Sequence, residues 1–444
     1  MTMACSVGLS AVSVGEEPIV TEKVQSTIPL ETVWTGHRVG FCLLTAPPIQ
    51  YAAYYDADRQ MTVAQRQLDQ TEWQTTKLPS HVVWDSHNYV TMALDSEGHL
   101  HVSGNMHVNP LIYFRTTRAG DASSLAQIET MVSPDVEKRM TYPRFFRGAD
   151  AALVFRYRDG ASGHGNDHYN VYNAKTRSWH ALIDGPLTDG KGKMNGYFAA
   201  PAQGPDGLFH MVGVWRDTPD AATNHHPSYA RSRDLIHWEK ADGTPLPLPL
   251  TLGNIDVVED LPPRQGLING NCRLGFDAAK RPVVTYHRYD ADGNSQIYAA
   301  CPEDGQWQIT QVSDWEGYRW DFGGGGSIPF DVRLGGVKLR EDDVLTLRFS
   351  RKEESGTWAL DPETLKPTGL APPSRVRRAR MGKPKPSFPG MQVRLAGDAG
   401  TAEDDNIRYV LRWETLGQNR DRPRKGPLPE PVMLELLRLV TPAE

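Results

Sequence analysis

The feature that most constrains this chain is a repeat. A turn of the D-x-x-G type leads into an alternating strand at "DSEGHLHVSG" and "GPDGLFHMVGVW", and less strictly at "DAAKRPVVTYHRY". Later in each unit come a strand, a turn and often a tryptophan: "TVAQRQLDQTEWQTTKL", "NVYNAKTRSWHALI", "YARSRDLIHWEKA" and "IYAACPEDGQWQITQV". The period is roughly 50 to 60 residues, longer than a minimal repeat unit, and long inter-strand loops absorb the excess. Few stretches show helical periodicity, while Gly (40) and Pro (33) are plentiful. Short strands with turn signals between them point to an all-β fold.

The pattern predicts a β-propeller, whose blades are four-stranded sheets around an axis. The clear units fall between about 51 and 314, and poorer ones follow near "VLTLRFSRKEESGTWALDP" and "NIRYVLRWETL" with "VMLELLRLV". Seven blades is the expected count; a five-bladed ring with additions is the alternative. An N-terminal strand near 31–45, in "ETVWTGHRVGFCLLT", is expected to complete the last blade. Residues 366–393 are basic and proline-rich and read as a long surface loop, which leaves 1–444 as a single domain.

Bulk properties narrow the function. Hydrophobic residues make up 39% and charged residues 23% of 444, as in a globular chain, and no apolar run approaches a membrane span. A net charge of −6 argues against nucleic acid as a partner. The four cysteines, Cys5, Cys42, Cys272 and Cys301, match no zinc-ribbon or redox spacing and read as free thiols. The stretch "MTMACSVGLSAVSVGEEP" lacks the basic and apolar regions of a signal peptide, so a cytoplasmic monomer is expected.

Histidines concentrate in "WDSHNYVTMALDSEGHLHVSGNMH" (84–107). Side chains alternate faces along a strand, so His99 and His101 share a face, and a bend at "GNMH" leaves His107 open. Hairpin pairing would bring His87 near His107. Sheet histidines with structural hydrogen bonds are the plain reading, and His99 and His101 suit it. A metal pair at "HLH" is weak on its own. Proton transfer is the third reading. It gains from the next blade, where "TYPRFFRGADAALVFRYRDGASGHG" supplies Tyr142 and Arg158. Taken singly these would be a strand-end aromatic and a turn arginine. Together with the histidines they suit β-elimination from a uronic acid. That reaction needs a base for the C5 proton, a cation for the developing enolate and an acid for the departing O4. Arginine can grip a carboxylate with two parallel hydrogen bonds.

The run "HNY…DSEGHLHVSGNMH", then "YPRF", "FRYRDGASGHG" and "TNHHPSYARSRDLIHW", resembles the BNR-repeat polysaccharide lyases, over roughly residues 80–330. These include ulvan lyases and L-rhamnose-α-1,4-D-glucuronate lyases. The resemblance implies a seven-bladed propeller that cleaves a rhamnose–glucuronate bond by β-elimination. It implies His87 and His107 as active-site imidazoles, Tyr142 as acid/base and Arg158 as carboxylate neutraliser. It places Asn88, Tyr197 and Arg216 at the substrate. The C5 base is His107 or Tyr142, with His87 on the carboxylate or the leaving oxygen. The partner is a uronic-acid-containing oligo- or polysaccharide, and the missing export signal favours rhamnosyl-glucuronate oligosaccharides over ulvan.

Catalysis of this kind needs no cofactor. Some relatives hold a structural metal through His and Cys, which here suggests His225, His287 and Cys301 around zinc or calcium, with His226 or His210 as fourth ligand; a site without metal is the alternative. The four glycines of "RWDFGGGGSIPF" (319–330) lack the Lys-Ser/Thr of a phosphate cradle and read as backbone lining the channel or a lip over the pocket. A propeller glycosidase and a non-catalytic sugar-binding propeller are the rival functions. The first would need paired carboxylates, drawn from Asp85, Asp159, Asp217 or Asp290.

Overall fold

Aspartate-led turns set the architecture. The carboxylate of Asp95 accepts from the backbone N–H groups of Glu97 (2.9 Å) and His99 (2.8 Å), and Gly98 takes φ +79°. Asp56 does the same for Asp58 and Gln60, and Asp290 for Asp292 and Asn294. Such self-bonding turns reverse the chain between strands. In the looser "DAAKR" repeat, Lys280 adopts the left-handed conformation (φ +63°) that Gly98 and Gly207 adopt in the stricter copies.

The structure is a computed structural model that describes residues 19–442 except 375 and 386. The stretch "MTMACSVGLSAVSVGEEP", with Cys5, lies outside the described residues. Seven sheets of at least four strands follow one another, each with antiparallel neighbours. Their strands fall within 42–81, 90–127, 107–181, 195–257, 273–311, 332–370 and 391–440, the second and third overlapping because His107–Asn109 joins the third sheet. The helical elements among the described residues are three short 3-10 turns, at Ala122–Ser124, Ala149–Ala151 and Ala221–Thr223. No described helix is long and apolar enough to cross a membrane.

The seventh sheet takes its outer strand from the other end of the chain. Lys23–Val33 pairs antiparallel with Val432–Val440. The closing strand therefore lies earlier than 31–45, and Cys42–Ala46 instead opens the first sheet. Residues 366–393 are not uniformly loop. Pro367–Leu370 completes the sixth sheet, and Val376–Arg377 pairs in parallel with Val20–Thr21.

The core is distributed between neighbouring sheets. Tyr51, Met61 and Val63 of the first sheet pack with Val90, Met92 and Phe114 of the second. Val283 and Ile297 of the fifth pack with Leu345, Leu347 and Phe349 of the sixth. Leu43 and Tyr54 of the first sheet meet Leu411 and Trp413 of the seventh, and Phe41 stacks on Trp413 at 4.4 Å. Each fully buried side chain of this size contributes about 1.5–3 kcal/mol. The seams also fix how strand ends from different sheets meet, and that creates the site.

Candidate active site

The site is built where the second and third sheets exchange a strand. Gly104 ends Leu100–Gly104 opposite Val90 of the preceding strand; a Cβ there would lie 2.6 Å from the Tyr89 carbonyl. Asn105 (φ +58°) then turns the chain, and His107–Asn109 leaves the second sheet to pair with Met140–Arg147 of the third, His107 opposite Thr141. His87 comes from a turn in which Asn88 N–H donates to the Asp85 carbonyl (3.3 Å). The two imidazoles lie 4.2 Å apart, centroid to centroid.

Asp85 holds both rings. His87 Nδ1 donates to Asp85 Oδ1 at 2.6 Å, and His107 Nδ1 donates to Oδ2. Burial alone would raise the Asp85 carboxyl, but the bonds from His107 and His87 outweigh it and hold it well below the usual carboxylate range. An ionised carboxylate only accepts, so each Nδ1 carries a proton. A neutral ring so held keeps Nε2 as an acceptor, the device by which carboxylates fix histidine tautomers. Behind this pair, Asp421 accepts from the N–H and hydroxyl of both Ser86 and Ser327 and lies 3.6 Å from His87 Nδ1.

Tyr142 occupies a bulge. Register breaks between Thr141 and Arg144, and Tyr142 takes φ +60°, a strained conformation for a non-glycine residue. The bulge brings its ring 5.6 Å from that of His87. Burial, opposed by the Arg158 charge, raises the Tyr142 hydroxyl well above its ordinary value, so it is a phenol at neutral pH.

Arg158 is only 1% exposed, and its guanidinium lies 4.8 Å from the centre of the Tyr142 ring. It donates to the Gly160 carbonyl (3.2 Å) and the Tyr197 hydroxyl (3.3 Å), while Nη2 has no partner. No described carboxylate pairs with it. A buried guanidinium with an unused donor is costly unless something charged arrives.

These groups line one cavity of about 370 Å³: His87, His107, Tyr142, Arg158, Tyr197 and Arg216. Gly325, Gly326 and Ser327 also line it, Ser327 Oγ lying 2.7 Å from Ser86 Oγ, so the glycine run lines the pocket; Gly324 N–H is bonded to Asp220 at 2.7 Å. Asn88 does not reach this wall. It is 2% exposed, and its carbonyl accepts from the buried Tyr55 hydroxyl at 2.6 Å. Asp85 as the shared acceptor, Asp421, Ser86, Ser162 and Gln418 were not picked out for these places from sequence. The D-S-H spacing was the one available signal for Asp85.

The suggested metal ligands do not assemble. His225 is bonded to Asp217 (2.9 Å) and faces His226. His287 is buried beside Trp320, and burial pushes it down to about 3. Cys301 lies four residues further along the paired strand from the position opposite His287, and its thiol is raised to about 11, chiefly by burial. His210 is bonded to Tyr229 and Asp206. This set does not fit a metal. Asp85, His87 and His107 are the one cluster of metal-ligand type among the described residues, and both Nδ1 atoms there are already turned to Asp85.

Residues 49–315 match the model of the BNR repeat-containing family. The chain belongs to that family. No curated protein matches it. Among solved structures this family member resembles the polysaccharide lyase Uly1, with TM-score 0.59 and 12% identity over 94% of this chain and 99% of that one. It also resembles an ulvan lyase solved bound to -[GlcA(1-4)Rha3S]-, with TM-score 0.55 and 11% identity over 88% and 93%. At such identities the likeness establishes a shared fold.

Proposed function

We propose that this protein is a seven-bladed propeller lyase that cleaves a rhamnose-α-1,4-glucuronate linkage by β-elimination, leaving a 4,5-unsaturated uronate. The observation that carries the reading is Arg158, a buried guanidinium with a free Nη2 at the floor of a pocket that also holds two tautomer-fixed imidazoles and a phenol. The seven consecutive sheets, with a strand from 23–33 completing the last, support the blade count. The fold shared with polysaccharide lyases supports the reaction class.

In the proposed reaction Arg158 pairs with the uronate carboxylate and offsets the charge that builds on it as C5 loses its proton. His107 Nε2 takes that proton. The C5–H electron pair forms the C4–C5 double bond, the C4–O4 bond breaks, and the Tyr142 phenol protonates O4. His87, which contacts Asp421 as well as Asp85, is the more firmly held ring and orients the sugar. Tyr197 and Arg216 complete the substrate wall. That wall contains no carboxylate, which disfavours a glycosidase built on two of them.

The test is ultraviolet absorbance of the new double bond, with rhamnosyl-glucuronate gum and ulvan supplied separately. Expected is a rise on one of them that is lost in Arg158→Ala and Tyr142→Phe. Reducing sugar released without that absorbance would sink the proposal.

A further inference from the structure

Adjoining the catalytic pocket is a second cavity of about 300 Å³, the lower cavity. The two share Tyr142, Arg158 and Tyr197 in their walls. Four guanidinium groups face the lower cavity, from Arg144, Arg156, Arg158 and Arg273, and the only acidic lining residue is Asp167. Arg156 takes that carboxylate at 2.7 Å. Three positive charges remain.

Arg156 and Arg158 are buried, while Arg144 and Arg273 are exposed to solvent. Arg144 and Arg156 stand directly opposite each other on paired strands, and like charges at such positions repel. The wall also holds polar atoms with nothing to bond. Arg156 is 8% exposed and its Nε has no partner; Asn195 is fully buried and both ends of its amide lack partners. Buried donors are rarely left so without a ligand or ordered water. The positive character continues away from the site. Arg394 is pushed down to about 10, first by burial and then by the charges of Arg38 and Arg333.

With Arg158 given to the uronate, a single carboxylate would neutralise one of the two charges left. A divalent tetrahedral oxyanion neutralises two and offers four acceptor oxygens to guanidinium forks approaching from several sides. We propose that the lower cavity is an anion site for a small oxyanion of the phosphate–sulfate class, held by Arg144, Arg156, Arg273 and the Asn195 amide. The site stands independently of the lyase reading, because binding is measured without turnover.

The experiment is calorimetric titration of the full chain with sodium phosphate, and separately sodium sulfate, in chloride buffer of constant ionic strength. Saturable uptake of one ion per chain is expected, with a raised melting temperature. Arg144→Gln and Arg273→Gln should each weaken it by about tenfold or more. Arg144→Gln also removes the like-charge pair, so without added oxyanion it should melt no lower than the parent, which separates lost binding from lost folding. Absence of saturable uptake, or uptake unchanged in both variants, overturns the proposal. If bound phosphate weakens binding of a sulfated or phosphorylated saccharide but not of its unesterified counterpart, the site takes an ester group of the substrate. If it weakens neither, the ligand is a free ion.

Discussion

One short stretch of chain carries two kinds of histidine. His101 is fully buried, with Nδ1 bonded to the Tyr113 hydroxyl (2.7 Å) and Nε2 near Asp95 (3.4 Å). His87 and His107 are part-exposed; each has Nδ1 fixed by Asp85 and lines a cavity. The residue type is the same and the sequence distance small. What differs is how many ring nitrogens the protein has already used. A ring with both nitrogens engaged ties strands together, while a ring with one anchored can exchange protons through the other.

The sharpest way to break this comparison is to remove the charge the cavity histidines work with. Arg158→Ala should lower turnover by about 10²–10³-fold or more, followed by product absorbance. Turnover near the parent level would mean that the pocket does not act on a carboxylate. Asp85→Asn comes next. One amide cannot accept from both imidazoles, so one ring loses its tautomer, and kcat should fall by about 10²–10⁴-fold with the circular dichroism spectrum retained.

The same variant sharpens the comparison through acid stability. A carboxyl held below its ordinary 3.8 contributes stability that is full above that pH and is lost as pH falls towards its folded value. In Asp85→Asn the denaturation curve should therefore flatten below about pH 4. His287 supplies the structural counterpart. Its folded value is about 3 against 6.5, so the folded state disfavours the charged ring. That contribution is full above about pH 6.5 and shrinks as pH falls towards 3. His287→Phe should flatten urea-denaturation stability across that window and leave turnover per folded molecule unchanged. Smallest in its effect on activity, His101→Gln should cost about 1–3 kcal/mol in urea unfolding by disturbing the bonds to Asp95 and Tyr113. A matching loss of kcat would erase the distinction between the two kinds of ring.

Local patterns carried the strand content, because aspartate-led turns and alternating strands are written within a few residues. Together with the family resemblance, which singled out His87 and His107 among the histidines, they also brought these two, Tyr142 and Arg158 into one set, and the cavity is lined by all four. Asn88 was misplaced because neighbouring residues in a turn need not face the same way. The metal set failed for a similar reason: strand spacing along one sheet separates His287 from Cys301, and His225 already has Asp217. Asp421 was out of reach altogether. It meets Ser86 across 335 residues, and no local pattern encodes a contact between chain segments that far apart. The closing strand was placed too late by about one strand length, since "ETVWTGHRVGFCLLT" spans the end of one sheet and the start of another.

The pairing of Lys23–Val33 with Val432–Val440 has a consequence for how the chain is made. Synthesis is vectorial, so Lys23–Val33 emerges long before Val432–Val440 and waits for it unpaired. Loop closure over such a span adds little entropy beyond that of a moderate loop, since the cost grows only with the logarithm of length. The hazard is kinetic: during that wait the strand presents an open edge to any other nascent chain. Most of its exposed positions, Lys23, Gln25, Ser26, Thr27 and Thr32, are polar, with Val24 and Pro29 the exceptions, which suits a segment that must stay solvated until its partner strand arrives.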